Sequence, residues 1–446
     1  KQKTAYEISA CLVGSEMCIR DRNRRDGLSE LMENNSVLLI PGADLQYRNA
    51  DSSYPFRQDS SFYYFSGFCE SSSLIAIVKN ENKINSIIFV PPKDKLREIW
   101  DGYRAGPIGA VKDYLFDKAF DNNQIDSMLP DILSGSKQVM YPIGKKAGFD
   151  QKVIDWTTEA SSKDRHSKSI NIFDASSMIG NLRLIKDNHE IELIRKACDI
   201  SADAHIHAMK NIKGGDNEQS IESLYIHEFS KKGARYPAYN PIVAGGENAC
   251  VLHYVENNKD LNNSDLILVD AGCEFEMYAA DITRTFPISG KFSEEQLKIY
   301  EVVLEAMNAA IDEVKEGNSV MRPQEASEKV ITKGLTKLGL LEGDVDELHA
   351  SGAYKDFYMH KIGHWLGLDV HDAGDYVEGD DFMKFKPGMI TTIEPGIYIS
   401  SSMDVDDKWK GIGVRIEDDI LVTKDGNENL TKKVPSDPKE IESLMS

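Results

Sequence analysis

At 446 residues the chain exceeds what one ordinary hydrophobic core organises, so two domains are expected. It is 41% apolar and 28% charged, the make-up of a soluble globular protein. No run approaches the roughly 20 apolar residues of a membrane helix. The net charge of −21 argues against nucleic acid as a partner, because phosphate would be repelled over most of the surface.

The first residues stand apart. KQKTAYEI and CLVGSEMCIRD resemble in-frame translations of synthetic adapters used in DNA sequencing, so residues 1–22 are set aside as an artefact of gene assembly. Cys11 and Cys18 leave the count with them. Cys69, Cys198, Cys250 and Cys273 remain, without a C-x-x-C pair, and read as small buried thiols in a reducing compartment, the cytoplasm.

From residue 23 to 178 the pattern is mixed. SVLLI, LIAIV and SIIFV have the composition of strands, with FYYF as another candidate and helical pieces between them. Trp100 lies in REIWDGYRAG, a polar stretch flanked by glycine; a core role is its default and a surface contact the alternative.

A second region runs from 179 to 446. KDNHEIELIRKACDISADAHIHAMKNI predicts a long helix opened by Asp187 and Glu190 in capping-box spacing. Ile191, Ile194, Cys198 and Met209 contribute to its apolar stripe, while His205 and His207 are too close in sequence to share a face. LILVDAG predicts a buried strand and DITRTFPI its neighbour. SEEQLKIYEVVLEAMNAAIDEVKEG predicts an amphipathic helix capped by Ser293 and Gln296 and ending near Gly317. MITTIEPG and GVRIEDDILVT predict further strands, which makes the region α+β.

Several carboxylates sit where ionisation is costly. Asp270 ends an apolar strand, and Asp281 starts the next one. Were those strands paired, the two groups would need a cation between them, or one would hold a proton. Glu394 precedes Pro395 at a strand end. Arg415, Glu417 and Asp419 alternate onto one face, which by itself reads as a surface ladder of charges. HKIGHWLGLDVHD gathers His360, His364 and His371. The first two have the spacing of a zinc helix, but Lys361 stands where its glutamate would be, and Gly363 and Gly367 weaken a helix. A loop or strand presenting His364 and His371 separately is expected instead.

Taken together, DAGCEFEMYAADITRTFP, HKIGHWLGLDVHD, IEPGIYI and GVRIEDDI resemble the metal-dependent pita-bread peptidases, and within them the bacterial aminopeptidase P (Xaa-Pro aminopeptidase) branch. The likeness runs from about Arg24 to the C-terminus and takes in ADSSYPFRQDSSFYYFSGF and YPAYNPIVAGGENACVLHY. It implies a pita-bread catalytic domain preceded by a smaller mixed α/β domain. It further implies hydrolysis of the bond between an N-terminal residue and a following proline, by a hydroxide bridging two metal ions. Asp270, Asp281, His364, Glu394 and Glu417 match the metal ligands of that family. Asp281 and Glu417 would bridge the ions, and Glu394 would also shuttle a proton. His253 and His371 match substrate-contacting histidines, Arg415 and Tyr239 match positions near the site, and Trp100 matches a residue contributed by a neighbouring subunit. One imidazole with four carboxylates favours a hard ion such as Mn²⁺. The implied partners are peptides with proline second and further copies of the chain, as dimer or tetramer. Prolidase, which takes only dipeptides, is the nearest rival. Non-catalytic relatives that bind proteins are the rival of a different class.

Overall fold

The computed structural model describes residues 5–81, 83–163 and 169–446, and the chain divides into two compact units between Gly180 and Asn181. The division falls two positions beyond the expected one.

The N-terminal unit is built on a six-stranded sheet. Its strands are β1 (Ser36–Pro41), β2 (Leu74–Asn80), β3 (Lys83–Val90), β4 (Lys118–Asp121), β5 (Gln138–Tyr141) and β6 (Asn171–Asp174), in the order β4-β3-β2-β1-β5-β6. β1–β2 and β2–β3 pair antiparallel, and the outer pairs are parallel. VLLI is buried on both faces because β1 is central, which is why it reads as a continuous apolar run. One core face combines Val37, Leu39, Ala76 and Phe89 with Leu133 and Trp156.

FYYF is not a strand. It forms the helix Ser60–Ser66, because the Asp59 carboxylate caps the N–H of Phe62 at 2.9 Å and Gly67 closes the other end at φ 60°. The helix Ala5–Leu31 runs without a break across position 22, the end of the segment set aside above. Residues 1–4 of that segment lie outside the described residues.

The C-terminal unit carries short strands wrapped by longer helices. β7 (Tyr236–Pro237), β10 (Cys273–Phe275) and β11 (Tyr278–Ala279) form one small sheet. β8 (Ile242–Gly245), β9 (Leu266–Asp270) and β12 (Thr283–Pro287) form a second, in the order β12-β9-β8. β13 (Val377–Glu378) and β14 (Asp381–Phe382) make a hairpin, and β15 (Ile390–Ile393) joins β18 (Asp418–Thr423) and β19 (Gly426–Asn429). β16 (Gly396–Ile399) pairs with β17 (Ile412–Arg415). The two capping boxes predicted from sequence are formed, at Asp187 for the helix Asn188–Asn211 and at Ser293 for the helix Glu294–Ile311.

Three expectations are corrected here. The helix opened by Ser293 ends at Ile311, short of Gly317, because the amide of Asn427 takes up the carbonyls of Ile311 and Val314 at 2.8 and 3.0 Å. GVRIEDDILVT is two strands, β17 and β18, broken at Ile416 and Glu417, and its charges are no surface ladder: Arg415, Glu417 and Asp419 are all buried. Of the four cysteines read as buried, Cys198 and Cys273 are, Cys250 is intermediate and Cys69 is exposed. No helix among the described residues is long and apolar enough to cross a membrane.

Candidate active site

The strand ends of the C-terminal unit converge on one cavity of about 780 Å³. β9 and β12 pair antiparallel with Asp270 opposite Thr283, so both strands bring their polar ends to the same place. Asp281 enters through the connection two residues before β12. Gly272 permits this crossing, since a Cβ there would lie 1.8 Å from the Ala280 carbonyl oxygen. Glu417, at the break between β17 and β18, bridges to Thr283: its N–H donates to the Thr283 carbonyl at 3.0 Å, and the Thr283 hydroxyl donates to its Oε2 at 2.6 Å. Glu394 follows β15, with its N–H on the Ile362 carbonyl at 2.7 Å.

No part of HKIGHWLGLDVHD is helical. His364 lies alongside β15, donating its N–H to the Thr392 hydroxyl at 3.1 Å and accepting from the N–H of Thr392 at 2.9 Å. Gly363 makes the approach possible, because a Cβ there would meet the Thr392 carbonyl oxygen at 1.9 Å. The His364 Nδ1–H donates to the Trp365 carbonyl at 3.0 Å, which leaves Nε2 facing Asp281 at 3.4 Å and Glu394 at 3.7 Å. That is how a metal-binding imidazole is commonly held. His371 was expected to be presented separately, yet its ring lies 4.1 Å from that of His364.

The charges are crowded. Glu417 is pushed well above the usual carboxylate range by burial and by Asp281, Glu394 and Asp270. Burial raises Glu394 to about 7, and burial with the Asp270 charge raises Asp281. His364 reaches about 9: burial opposes its charge, but the Asp281 and Glu394 carboxylates outweigh it. The Tyr239 hydroxyl lies 2.6 Å from both Asp270 Oδ1 and Asp281 Oδ1. A phenol has a single proton to give, so one of those contacts calls for a second proton or a cation nearby. Ligand atoms of Asp281, His364 and Glu417 all lie within 4.8 Å of one another. A donor set so rich in buried oxygen fits divalent cations.

Nine of the ten site residues expected from sequence line this cavity: Tyr239, His253, Asp270, Asp281, His364, His371, Glu394, Arg415 and Glu417. Trp100 is not among the lining residues; it is 83% exposed on the helix Lys95–Asp101 of the N-terminal unit, so the core role does not hold. Reasoning from sequence placed Arg415 near the site and named His360, but missed that Tyr398 links them and that Asp419 supports Asp281. Arg415 donates to Asp270 at 2.8 Å and to the Tyr398 hydroxyl at 3.1 Å, and that hydroxyl donates in turn to His360 Nε2 at 2.8 Å. Burial lowers His360 to about 4, which keeps it neutral and able to accept. Asp419 accepts from the N–H of Asp281 at 3.0 Å and fixes its backbone. The alternation Arg415, Glu417, Asp419 was visible in the sequence but read there as a surface ladder.

Comparison with known proteins agrees with this geometry. The profile of metallopeptidase family M24 matches residues 192–424, and that of the aminopeptidase P N-terminal domain matches residues 22–141. The Xaa-Pro aminopeptidase of Haemophilus influenzae is 44% identical, over 95% of this chain and 96% of its own. That of Escherichia coli is 41% identical, over 95% and 97%. Aminopeptidase PepP of Pseudomonas aeruginosa superposes with a TM-score of 0.93 at 45% identity, over 96% of this chain and 98% of that one. A zinc-substituted E. coli aminopeptidase P in complex with product superposes at 0.92 with 41% identity, over the same shares. A unit that gathers acidic strand ends, following an N-terminal unit of this type along the chain, therefore has its place: the chain belongs to metallopeptidase family M24, in its bacterial aminopeptidase P branch.

Proposed function

We propose that the chain is an Xaa-Pro aminopeptidase that removes an N-terminal residue standing before proline, and that it works with two Mn²⁺ ions. The observation that carries this reading is the set of four carboxylates and one imidazole turned into a single cavity of about 780 Å³. Asp281 and Glu417 would bridge the ions, Asp270 would hold one, and His364 with Glu394 the other. Such ions supply a nucleophilic water at neutral pH and polarise the scissile carbonyl.

The remaining work falls to the protein. Glu394 would take a proton from the attacking water and deliver it to the departing proline nitrogen. His253 and His371 hydrogen-bond the substrate and the oxyanion that develops on its carbonyl. Arg415 and Tyr239 orient Asp270, beside which the substrate's free amine would sit, so that attack is limited to the first bond. Leu252, Val255, Val320 and Met321 give the same cavity an apolar wall for the substrate's side chains. Proline's tertiary amide has no N–H, so a site that takes it makes no use of that donor.

A second copy of the chain and the cytoplasm complete the reading, the latter supported by two buried, unpaired thiols. Residues 1–22 are assigned to an adapter-derived addition on the resemblance of KQKTAYEI and CLVGSEMCIRD to adapter translations. Recovering that segment by peptide mapping of the protein from its native host would remove the assignment.

The function is tested with manganese-loaded protein and two substrates, Ala-Pro and Ala-Pro-Ala-Ala, followed by mass spectrometry. Release of alanine from the tetrapeptide is expected. Cleavage of the dipeptide alone would make the protein a prolidase, and cleavage of neither would point to a binding role.

A further inference from the structure

Asp372 directly follows His371 and is held by two cations that no cavity contact explains. The side chains of Asp372 and Lys186 are each 1% exposed and that of Arg183 2%. Lys186 Nζ donates to Asp372 Oδ2 at 3.0 Å, and Arg183 Nη2 donates to Asp372 Oδ1 and, at 2.8 Å, to Asp369 Oδ2. Both cations come from NLRLIK, the approach to the helix Asn188–Asn211, far away in sequence from the carboxylate they hold. Burying three ions costs several kcal/mol of desolvation each, and apolar residues of similar volume would avoid that cost. What the cluster provides is position.

Asp372 closes the histidine loop on itself. Its N–H donates to the Trp365 carbonyl at 2.8 Å, and its Oδ1 accepts from the N–H of Asp369 at 3.3 Å. Gly367 packs so closely beneath it that a Cβ would lie 2.3 Å from Asp372 Oδ2 and 3.0 Å from Lys186 Cε. The loop is also tied from outside, by the N–H of Ala279 on the Gly367 carbonyl at 2.9 Å and that of Leu366 on the Ile390 carbonyl at 3.1 Å. His371 is the exposed residue at the end of this loop, next to the anchored carboxylate, and its ring reaches the cavity beside His364.

We propose that the buried Arg183–Asp372–Lys186 cluster is a positioning device for His371, fixing the backbone from which its imidazole meets the substrate. Arg183 and Lys186 are positioning residues and touch no substrate. The inference rests on the peptidase reading of the site, and its test separates the two.

Four variants are compared with wild type: Arg183→Met, Arg183→Lys, His371→Ala, and Arg183→Met combined with His371→Ala. In the manganese-loaded protein, Arg183→Met is expected to lower kcat on Ala-Pro-Ala-Ala by roughly 10- to 100-fold, with KM changed less than about threefold. Arg183→Lys, which keeps the charge and folds even where methionine does not, should recover most of that loss. In the His371→Ala background the same substitution should cost less than about twofold, because its effect passes through the imidazole already removed. Equal losses in both backgrounds would make the cluster merely structural and overturn the proposal. Loss of bound metal in Arg183→Met would overturn it too, by placing the effect on His364. A crystal structure of the Arg183 variants decides independently of turnover: displacement of the His371 ring supports the proposal, and a ring still 4.1 Å from His364 sinks it. Should wild type cleave neither peptide, the peptidase reading fails while this structural arm still judges the positioning role.

Discussion

Two residues of the catalytic unit make opposite use of burial. Burial raises Glu394 to about 7, and the role proposed for it is the exchange of a proton. Glu394→Gln keeps the shape and abolishes that exchange, so turnover of Ala-Pro-Ala-Ala should fall by about 10²–10⁴-fold while peptide binding is largely kept. Retained turnover would remove the proton-shuttle role. His205 is pushed the other way, to about 3, by complete burial. Its Nδ1 accepts from the Tyr225 hydroxyl at 3.1 Å, and its Nε2–H donates to the carbonyl of Ala271, next to Asp270, at 3.0 Å. The neutral ring is the form the fold accepts. In an unfolded chain the ring titrates near about 6.5, so its contribution is complete above that pH and is lost as pH falls toward about 3. His205→Gln can make both hydrogen bonds and does not titrate. Its Tm should therefore fall less than that of wild type between pH 7 and pH 4, and parallel curves would show that His205 does not set the acid limb.

The same contrast between what is local and what is distant appears among the elements. β9 and β12 were legible as neighbouring strands because LILV is an apolar run and ITRTFPI, beyond the connection AGCEFEMYAA, has strand composition, and the capping boxes at Asp187 and Ser293 carry their own signals. FYYF misled because four aromatics in a row suit a strand, whereas Asp59 and Gly67 at its edges decide for a helix. The proposed ligands could be named only through a family likeness, since they span nearly 150 positions and no spacing rule links Asp270 to Glu417. The groups that hold them were illegible for the same reason. Nothing in NLRLIK announces that its cations will meet Asp372, and Tyr398 gives no sequence sign of its hydrogen bonds to Arg415 and His360. The glycines are the exception. Gly363, read as a helix breaker, is a point of contact between His364 and β15, so Gly363→Ala must push the two apart. Overpacking of this kind costs about 1–3 kcal/mol, and both Tm and bound manganese should drop together. A lowered Tm with full metal content would show that the strain is absorbed away from His364.

For the whole molecule the unresolved demand lies on the surface of the N-terminal unit. The helix Lys95–Asp101 has seven residues and buries none of them. Helices shorter than about 12–15 residues are marginal in water, and most owe their stability to packing. Around it Leu96, Ile99, Trp100, Tyr103 and Ile108 are each more than 70% exposed. Scattered exposed apolar side chains are ordinary, but five between positions 96 and 108 form a surface that suits a protein contact. A second copy of the chain is the occupant that the family likeness of Trp100 suggests. Leu96→Lys together with Trp100→Ala is expected to convert an oligomer into a monomer at micromolar concentration, measured by light scattering after gel filtration. Trp100→Ala alone separates contact from catalysis. If a neighbouring copy places Trp100 against the bound peptide, KM for Ala-Pro-Ala-Ala rises even where the oligomer survives. If the assembly falls apart with kinetic constants unchanged, the helix serves association alone. A wild-type protein that is monomeric throughout would leave this apolar surface to a different partner.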